Sequence, residues 1–206
     1  MKEIQRNQQS APGAILLDIH QLLRHKNPVL VALDGRSGTG KSTIANELAK
    51  HGDGVVVVGD DFYSGGDDDV WSGISAEEKV AKVIDWQRMR KQVLEPLLAK
   101  RPAHWHPLDF HPERGWVGWK DETITLEPAP VILLDGAYSA RPELADLVDL
   151  AILVEVNDIT RRERLILREG PDFMSRWHRL WDPAEDLYFT YIRPRSSFDI
   201  VVSNEA

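Results

Sequence analysis

One stretch decides the fold of this chain: Gly35-Arg36-Ser37-Gly38-Thr39-Gly40-Lys41-Ser42, followed directly by Thr43. It has the form G-x-x-x-x-G-K-[ST] and lies between an apolar run at 29–33 and a segment with helical spacing. Glycine lacks Cβ, so such a loop can take positive φ angles and bring consecutive N–H groups close to phosphate oxygens. Lys41 would add positive charge at the β- and γ-phosphates, and the Ser42 hydroxyl would bind Mg²⁺. The residues at 35–43 therefore predict a nucleoside triphosphate site, whereas the alternative is a strand-to-helix turn without a ligand.

Apolar runs on both sides of this loop alternate with helical patterns. Continuous apolar stretches predict buried strands at 29–33, 55–58, 131–134, 150–156 and 198–202. Helical spacing of apolar residues predicts helices at 14–25, 41–51, 75–100, 160–169 and 174–191. Together with the loop, these patterns predict an α/β protein with a three-layer P-loop NTPase fold: a mostly parallel sheet with helices on both faces.

Length and composition narrow the class of protein. The 206 residues suffice for one domain at 1–206, with an N-terminal helix extension at 1–28. The absence of cysteine excludes disulfides and thiolate chemistry. A net charge of −8 argues against nucleic acid as a partner, and no apolar run reaches membrane-spanning length. We expect a cytoplasmic protein that acts on a small molecule, and a homo-oligomer is left open.

Acidic residues follow two of the predicted strands. Asp60 and Asp61 come directly after the run at 55–58, and Asp135 ends the run at 131–134. Because the carboxyl ends of parallel strands meet at the ligand-binding edge of such a sheet, these acids are expected near the phosphates. Asp135 has the position of a carboxylate that holds Mg²⁺ or its water shell. The alternative is that all three are ordinary loop acids.

Basic residues and histidines give weaker signals. Arg161, Arg164 and Arg168 share one face of the predicted helix at 160–169 and could stabilise charge on a transferring phosphate, or form a solvated helix face. Histidines at 104, 106 and 111 have no metal-binding framework around them, which favours ordinary loop histidines.

With these residues located, the chain resembles the uridine kinase and phosphoribulokinase-like branch of P-loop kinases from about 29 to 204. Besides the glycine loop, the resemblance rests on a D-x-F-Y element at 60–63, a strand ending in acid-Gly at 131–136 and a P-E-L-x-D-L-x-D-L passage at 142–150. It also rests on an arginine-rich lid at 161–169 and a closing segment at 191–202. The resemblance implies a single P-loop kinase domain with an acceptor-side insertion at about 101–127 and a small lid at about 161–180. It also implies ATP and Mg²⁺ as cofactors and transfer of the γ-phosphoryl group to a hydroxyl. It implies that Asp60 takes the proton from the attacking hydroxyl and lies near Mg²⁺ with Ser42 and Asp135.

The same resemblance assigns the remaining catalytic roles. Lys41 would act on the phosphates, and Arg164 and Arg168 match the lid positions best, with Arg161 also suitable. The acceptor-side candidates are Asp61, Tyr63, Asp109, His111 and Arg114.

The acceptor side departs from the family pattern. The segment 106–114 resembles the base-contacting P-x-Y-D-F-x-x-H-x-R of uridine kinases, but Leu108 replaces the tyrosine and the histidine spacing differs. The predicted acceptor is therefore a nucleoside-like or another small alcohol. The alternatives are a kinase of a cofactor precursor such as a pantothenate-like alcohol, and a regulatory ATPase or switch that transfers phosphate to no small acceptor.

Overall fold

The structure is a computed structural model that describes residues 1–5, 11–111, 115–170 and 179–205. Its ten strands within these ranges are β1 Lys2–Gln5, β2 Val29–Asp34, β3 Gly54–Val58, β4 Ala103–Trp105, β5 Leu108–His111, β6 Gly115–Trp119, β7 Ile124–Leu126, β8 Val131–Asp135, β9 Leu150–Glu155 and β10 Ile200–Ser203. The described α-helices include α1 Ala11–Leu23, α2 Lys41–Gly52, α3 Asp68–Ser72, α4 Ala76–Lys82, α5 Trp86–Met89, α6 Glu95–Leu98, α7 Asp158–Glu169 and α8 Asp182–Leu187. Two π-helical turns, Arg90–Leu94 and Tyr188–Ile192, continue α5 and α8.

Six strands form one parallel sheet in the order β1-β10-β9-β2-β8-β3. One face of the sheet is covered by α1 and α2, whose Ile15, Ile19, Ile44 and Leu48 are fully buried. The opposite face packs against the helical turns after β3 and against the C-terminal helical segment, where Met89, Val93 and Tyr188 are buried with Leu30 and Ile132. This is the predicted three-layer α/β architecture of a P-loop fold.

The N-terminal extension contains more than the predicted helix. Lys2–Gln5 forms strand β1, which pairs with β10 at the edge of the sheet. The sequence Lys-Glu-Ile-Gln offers one apolar residue, Ile4, and this residue is buried against α1 and β10. A four-residue strand with one buried side chain is too short for the apolar pattern to reveal.

The prediction of one long helix at 75–100 was wrong. Its N-terminal capping box is present, because the Ser75 hydroxyl accepts the Glu78 N–H while the Glu78 carboxylate accepts the Ser75 N–H. The helix ends at Lys82, however, and Ile84 pairs with Tyr63 in an isolated β-bridge. Asp85 then caps a new helix through the Arg88 N–H.

The predicted insertion at 101–127 forms two small antiparallel pairs, β4 with β7 and β5 with β6. The division of the chain into a single domain with this insertion and a lid stays a prediction. Residues 171–178 of the predicted lid, and the same part of the helix predicted at 174–191, lie outside the described residues. None of the helices in the described ranges is long and apolar enough to cross a membrane.

Candidate active site

The phosphate loop lies between the carboxyl end of β2 and the start of α2. Its glycines take positive φ angles: Gly35 146°, Gly38 84° and Gly40 90°. At Gly35 a Cβ atom would lie 2.2 Å from the Val154 carbonyl oxygen, so a larger residue there would displace the backbone of β9. The Lys41 ammonium donates to the carbonyls of Gly35 at 2.8 Å and Arg36 at 3.0 Å and therefore lies back across the loop.

Asp34, immediately before the loop, is the main residue that the sequence reasoning missed. Its carboxylate is fully buried and accepts four hydrogen bonds: from the N–H groups of Gly35 (2.7 Å), Tyr138 (2.9 Å) and Ala140 (2.9 Å), and from the Tyr188 hydroxyl (2.8 Å). Asp34 thus joins the start of the loop to the turn after β8 and to the C-terminal helical segment. The one available signal was an acid at the end of a strand that is otherwise entirely apolar.

Asp135 and Ser42 meet beside the loop. Asp135 is 6% exposed, and the Ser42 side chain is near enough to its carboxylate to affect its pKa. Burial raises the pKa of Asp135, while Ser42 and Lys41 oppose the rise and the nearby Asp60 adds to it. Its Oδ1 is buried and has no hydrogen-bond partner among the described residues. A carboxylate oxygen and a hydroxyl are hard oxygen ligands, so this pair fits Mg²⁺ or a water bound to it.

Across the described ranges there is no group of three or more His, Cys, Asp or Glu side chains that could hold a metal ion. The ring Nδ1 atoms of His104 and His106 are satisfied locally by the Thr125 hydroxyl and the Lys120 carbonyl. A Mg²⁺ ion at Ser42 and Asp135 would take its remaining ligands from phosphates and water, which is usual for this metal.

Asp60 and Asp61 lie in a 3₁₀ turn, Gly59–Phe62, directly after β3 and beside β8. The two carboxylates have different surroundings. The Asp60 Oδ1 lies close to Gly136, because a Cβ atom added to that glycine would be 3.9 Å from it. Asp61 Oδ2 instead accepts the indole N–H of Trp105 at 2.9 Å. Asp60 therefore faces the same region as Asp135, and Asp61 faces the insertion.

The surroundings of Asp61 include a second unpredicted residue, Arg88. Burial raises the pKa of Asp61, the Trp105 indole lowers it, and Asp60 raises it further. The Arg88 guanidinium donates to the Asp61 carbonyl at 2.7 Å and to the His106 carbonyl at 3.2 Å. It also stacks on two aromatic rings, 4.6 Å from the centroid of Phe62 and 4.0 Å from that of Trp119.

Of the other predicted acceptor residues, the structure describes the side chains of Tyr63 and Asp109. Tyr63 donates its hydroxyl to the Gly66 carbonyl at 3.4 Å and packs against Trp71 and Trp181. Asp109 lies on β5, partly exposed. The His111 side chain and all of Arg114 lie outside the described residues.

The three arginines of α7 are placed differently from one another. Arg164 reaches the loop, donating to the Thr39 carbonyl at 3.5 Å and to the Asn204 carbonyl at 3.1 Å. Arg161 is 3% exposed and lies against the loop at Gly38, because a Cβ on Gly38 would come within 3.3 Å of the Arg161 Cγ. The Arg168 side chain is 60% exposed and pairs with Glu169 at 2.6 Å, so the structure does not bring it to the loop as expected.

A buried acid in α8 completes the site. Glu185 is 2% exposed, and its Oε1 accepts the Ser37 N–H at 3.4 Å. Its Oε2 lies 3.7 Å from an Arg36 nitrogen and 3.8 Å from an Arg161 nitrogen. Sequence reasoning had no means of finding this residue, because Glu185 and Ser37 are 148 positions apart in the chain.

A family model described as RNA helicase matches residues 31–101. This segment is less than half of the chain. It contains the phosphate loop and β3 but not Asp135, α7 or α8.

Curated relatives match over most of the chain. A uridine kinase from Lactobacillus helveticus is 26% identical over 192 residues, which cover 86% of this chain and 87% of that protein. A uridine kinase from Clostridium botulinum is 27% identical over 182 residues, which cover 82% and 80%. In structure, D-glycerate 3-kinase from Cryptococcus neoformans has a TM-score of 0.65 at 11% identity, over 94% of this chain and 96% of that one. The motifs, the fold and these similarities together confirm that the chain resembles the uridine kinase-like branch of P-loop kinases.

Proposed function

We propose that this chain is an ATP- and Mg²⁺-dependent small-molecule kinase that transfers the γ-phosphoryl group to a hydroxyl of a nucleoside-like or another small alcohol. The observation that carries the proposal is the position of Asp60 and Asp135 at the carboxyl ends of the neighbouring strands β3 and β8, beside Lys41 and Ser42. A site that only bound nucleotide would need the loop and one acid. The second acid, facing the same region, suits a base for an attacking hydroxyl.

In the proposed reaction the acceptor hydroxyl donates a hydrogen bond to Asp60. Its oxygen forms a bond to the γ-phosphorus, the bond from the γ-phosphorus to the bridging oxygen of ADP breaks, and the hydroxyl proton passes to Asp60. Lys41 and Arg164 hold the phosphate oxygens, and positioning with charge neutralisation supplies most of the rate acceleration. Ser42 and Asp135 would hold Mg²⁺ near Asp60, and the ion would supply positive charge at the phosphates. Arg168 could contribute after leaving Glu169.

The acceptor is to be found by a binding screen. Nucleosides, sugars and vitamin alcohols are added to the chain with Mg²⁺ and a non-hydrolysable ATP analogue, and the thermal midpoint is measured. A true acceptor raises the midpoint by mass action, because it binds the folded state alone. Compounds that raise the midpoint are then tested for phosphorylation with ATP.

The role of Asp60 is tested with Asp60→Asn, and with the exposed Asp121→Asn as a matched control. Loss of the base should lower kcat by roughly 10²–10⁴-fold while the ATP analogue still binds. The control should keep full activity. Full activity in Asp60→Asn would remove this residue from the mechanism, and ATP hydrolysis that no alcohol increases would favour the regulatory ATPase instead.

A further inference from the structure

The helical segment after the lid holds the phosphate loop at two neighbouring positions. The Tyr188 hydroxyl donates to Asp34, which in turn accepts the Gly35 N–H. Three residues earlier, Glu185 accepts the Ser37 N–H. Residues three apart lie on one face of a helix, so a single face of this segment fixes the first part of the loop.

The same segment binds the two arginines at the loop. Arg36 has Asp186 at 2.5 Å and Glu185 at 3.7 Å. Arg161 has Glu185 at 3.8 Å and Asp182 of the same segment at 3.7 Å, besides Asp158 of its own helix at 3.6 Å. Glu185 is the acid shared by both arginines. Asp186 is 66% exposed, so its ion pair with Arg36 is screened by water, whereas the Glu185 carboxylate is 2% exposed.

The contacts of Glu185 are close enough for strong electrostatic attraction but longer than good hydrogen bonds. Nitrogen-to-oxygen distances of 3.7 and 3.8 Å exceed the usual range of about 2.7–3.2 Å. Among the described residues, the Arg161 Nη1 and the Glu185 Oε2 have no hydrogen-bond partner. A cavity of about 240 Å³, lined in part by Arg36 and Arg161, opens beside them. Arg161 therefore has an N–H group that could donate to a ligand, and both arginines border the cavity.

We propose that Glu185 is a positioning residue for phosphoryl transfer, which holds the Ser37 amide and the Arg36 and Arg161 side chains in place beside the nucleotide phosphates. This inference rests on the proposed kinase function. Glu185 acts through these groups and does not touch the substrate. Its negative charge opposes phosphate binding slightly. Glu185 favours phosphoryl transfer instead by fixing the positions of the two arginines and the loop.

Glu185→Gln keeps the size of the side chain and removes its charge. We expect kcat to fall at least tenfold while the ATP analogue binds as tightly as to the unchanged chain, or more tightly because one negative charge is gone. Hydrogen exchange of the amides at 35–40 should become faster, a readout that is independent of activity. Glu163→Gln, an exposed glutamate on α7, is the matched control and should change none of these values.

A second series tests whether Glu185 acts through Arg161. Arg161→Ala should lower kcat, and adding Glu185→Gln to it should lower kcat by less than the product of the two single effects. Glu185→Asp keeps the charge but shortens the side chain, so it should also lower kcat without weakening binding of the analogue. This variant serves if Glu185→Gln does not fold.

The proposal is overturned if the Glu185 variants keep kcat within twofold of the unchanged chain. It is also overturned if kcat and analogue binding fall in parallel with thermal stability, since that pattern indicates a structural role alone. If the unchanged chain phosphorylates none of the alcohols, the proposed function fails instead, and analogue binding with amide exchange still shows whether Glu185 holds the loop.

Discussion

Asp34 shows how one buried carboxylate fixes the conformation of a binding loop. Asp34→Asn keeps the shape but replaces one acceptor oxygen by an amide that donates. At least one of the three N–H groups now bonded to Asp34 then loses its acceptor in the protein interior. An unsatisfied buried donor costs about 1–3 kcal/mol, so we expect the free energy of unfolding to fall by about 2 kcal/mol, measured in urea.

Tyr188→Phe is the graded control for Asp34, because it removes one of the four donors and leaves the three N–H bonds in place. It should cost about 1 kcal/mol. Equal stability of Asp34→Asn and the unchanged chain would mean that the four bonds do not stabilise the loop.

Neutralising the Asp135 carboxylate is expected to stabilise the folded, ligand-free chain. Its pKa is raised in the folded chain, so the folded state keeps a proton at pH values where the unfolded chain has lost it. At pH values above the folded-state pKa, the ionised carboxylate therefore lowers the free energy of unfolding. This destabilisation disappears as the pH falls to 3.8, the ordinary pKa of an aspartate. Asp135→Asn should raise the thermal midpoint of the ligand-free chain at pH 7, with a difference that shrinks toward pH 4.

For a chain of this size, each kcal/mol corresponds to roughly 2–4 °C in the midpoint, which calorimetry resolves easily. Asp69→Asn, at an exposed position in α3, is the control and should leave the midpoint unchanged. A lower midpoint for Asp135→Asn at pH 7 would contradict the prediction.

Local spacing was enough to place some single residues in the fold, and their chemical roles stay predictions. The loop at 35–42 and the strand-ending acids Asp60 and Asp135 were located in this way. Asp34 and Glu185 were not, because the partners that give them their roles, among them Tyr138 for Asp34 and Ser37 for Glu185, lie more than 100 residues away in the chain. A carboxylate that binds backbone N–H groups across such distances leaves no pattern in the sequence.

At the level of elements, Arg88 of α5 joins the turn after β3 to the β5–β6 hairpin. Its two hydrogen bonds and two stacked rings are the contacts described above. Arg88→Ala should release the hairpin, because stacking of an arginine on an aromatic ring contributes about 0.5–2 kcal/mol. We expect hydrogen exchange in β5 and β6 to become at least about tenfold faster, which corresponds to about 1.4 kcal/mol, and exchange at 35–40 to stay the same.

Arg90→Ala is the matched control for Arg88. This residue lies two positions further along the same helical segment and pairs with Asp146 and Glu95 instead. Unchanged exchange in the hairpin of Arg88→Ala would show that other contacts hold it.

Elements with long apolar runs were predicted well, including the buried strands β2, β3, β8 and β9. The break between α4 and α5 was not, because the helical spacing continues through it. What interrupts the helix is the bridge from Ile84 to Tyr63, a tertiary contact that overrides local helical preference. Strand β1 was missed for the opposite reason, since it carries too little apolar pattern.

At the scale of the whole molecule, the excess of acidic residues argues against nucleic acid as a partner. RNA binding depends on positive charge that releases counterions, and this chain has 33 acidic against 25 basic residues. We expect a labelled 20-nucleotide RNA to show no saturable anisotropy change at chain concentrations up to about 100 μM in physiological salt. Saturable binding that weakens steeply with salt would contradict this and would give the match at 31–101 a functional meaning.

The place of β1 in the sheet affects the order in which the chain folds. Lys2 pairs with Ile200, so β1 can join the sheet only after β10 has been synthesised and has docked on β9. This contact joins residues from almost the two ends of the sequence, and contacts between residues so far apart in the chain slow folding. During translation the β1 segment therefore has no strand to pair with until β10 has been made. Its charged residues Lys2 and Glu3 are of the type that protects unpaired strands from aggregation.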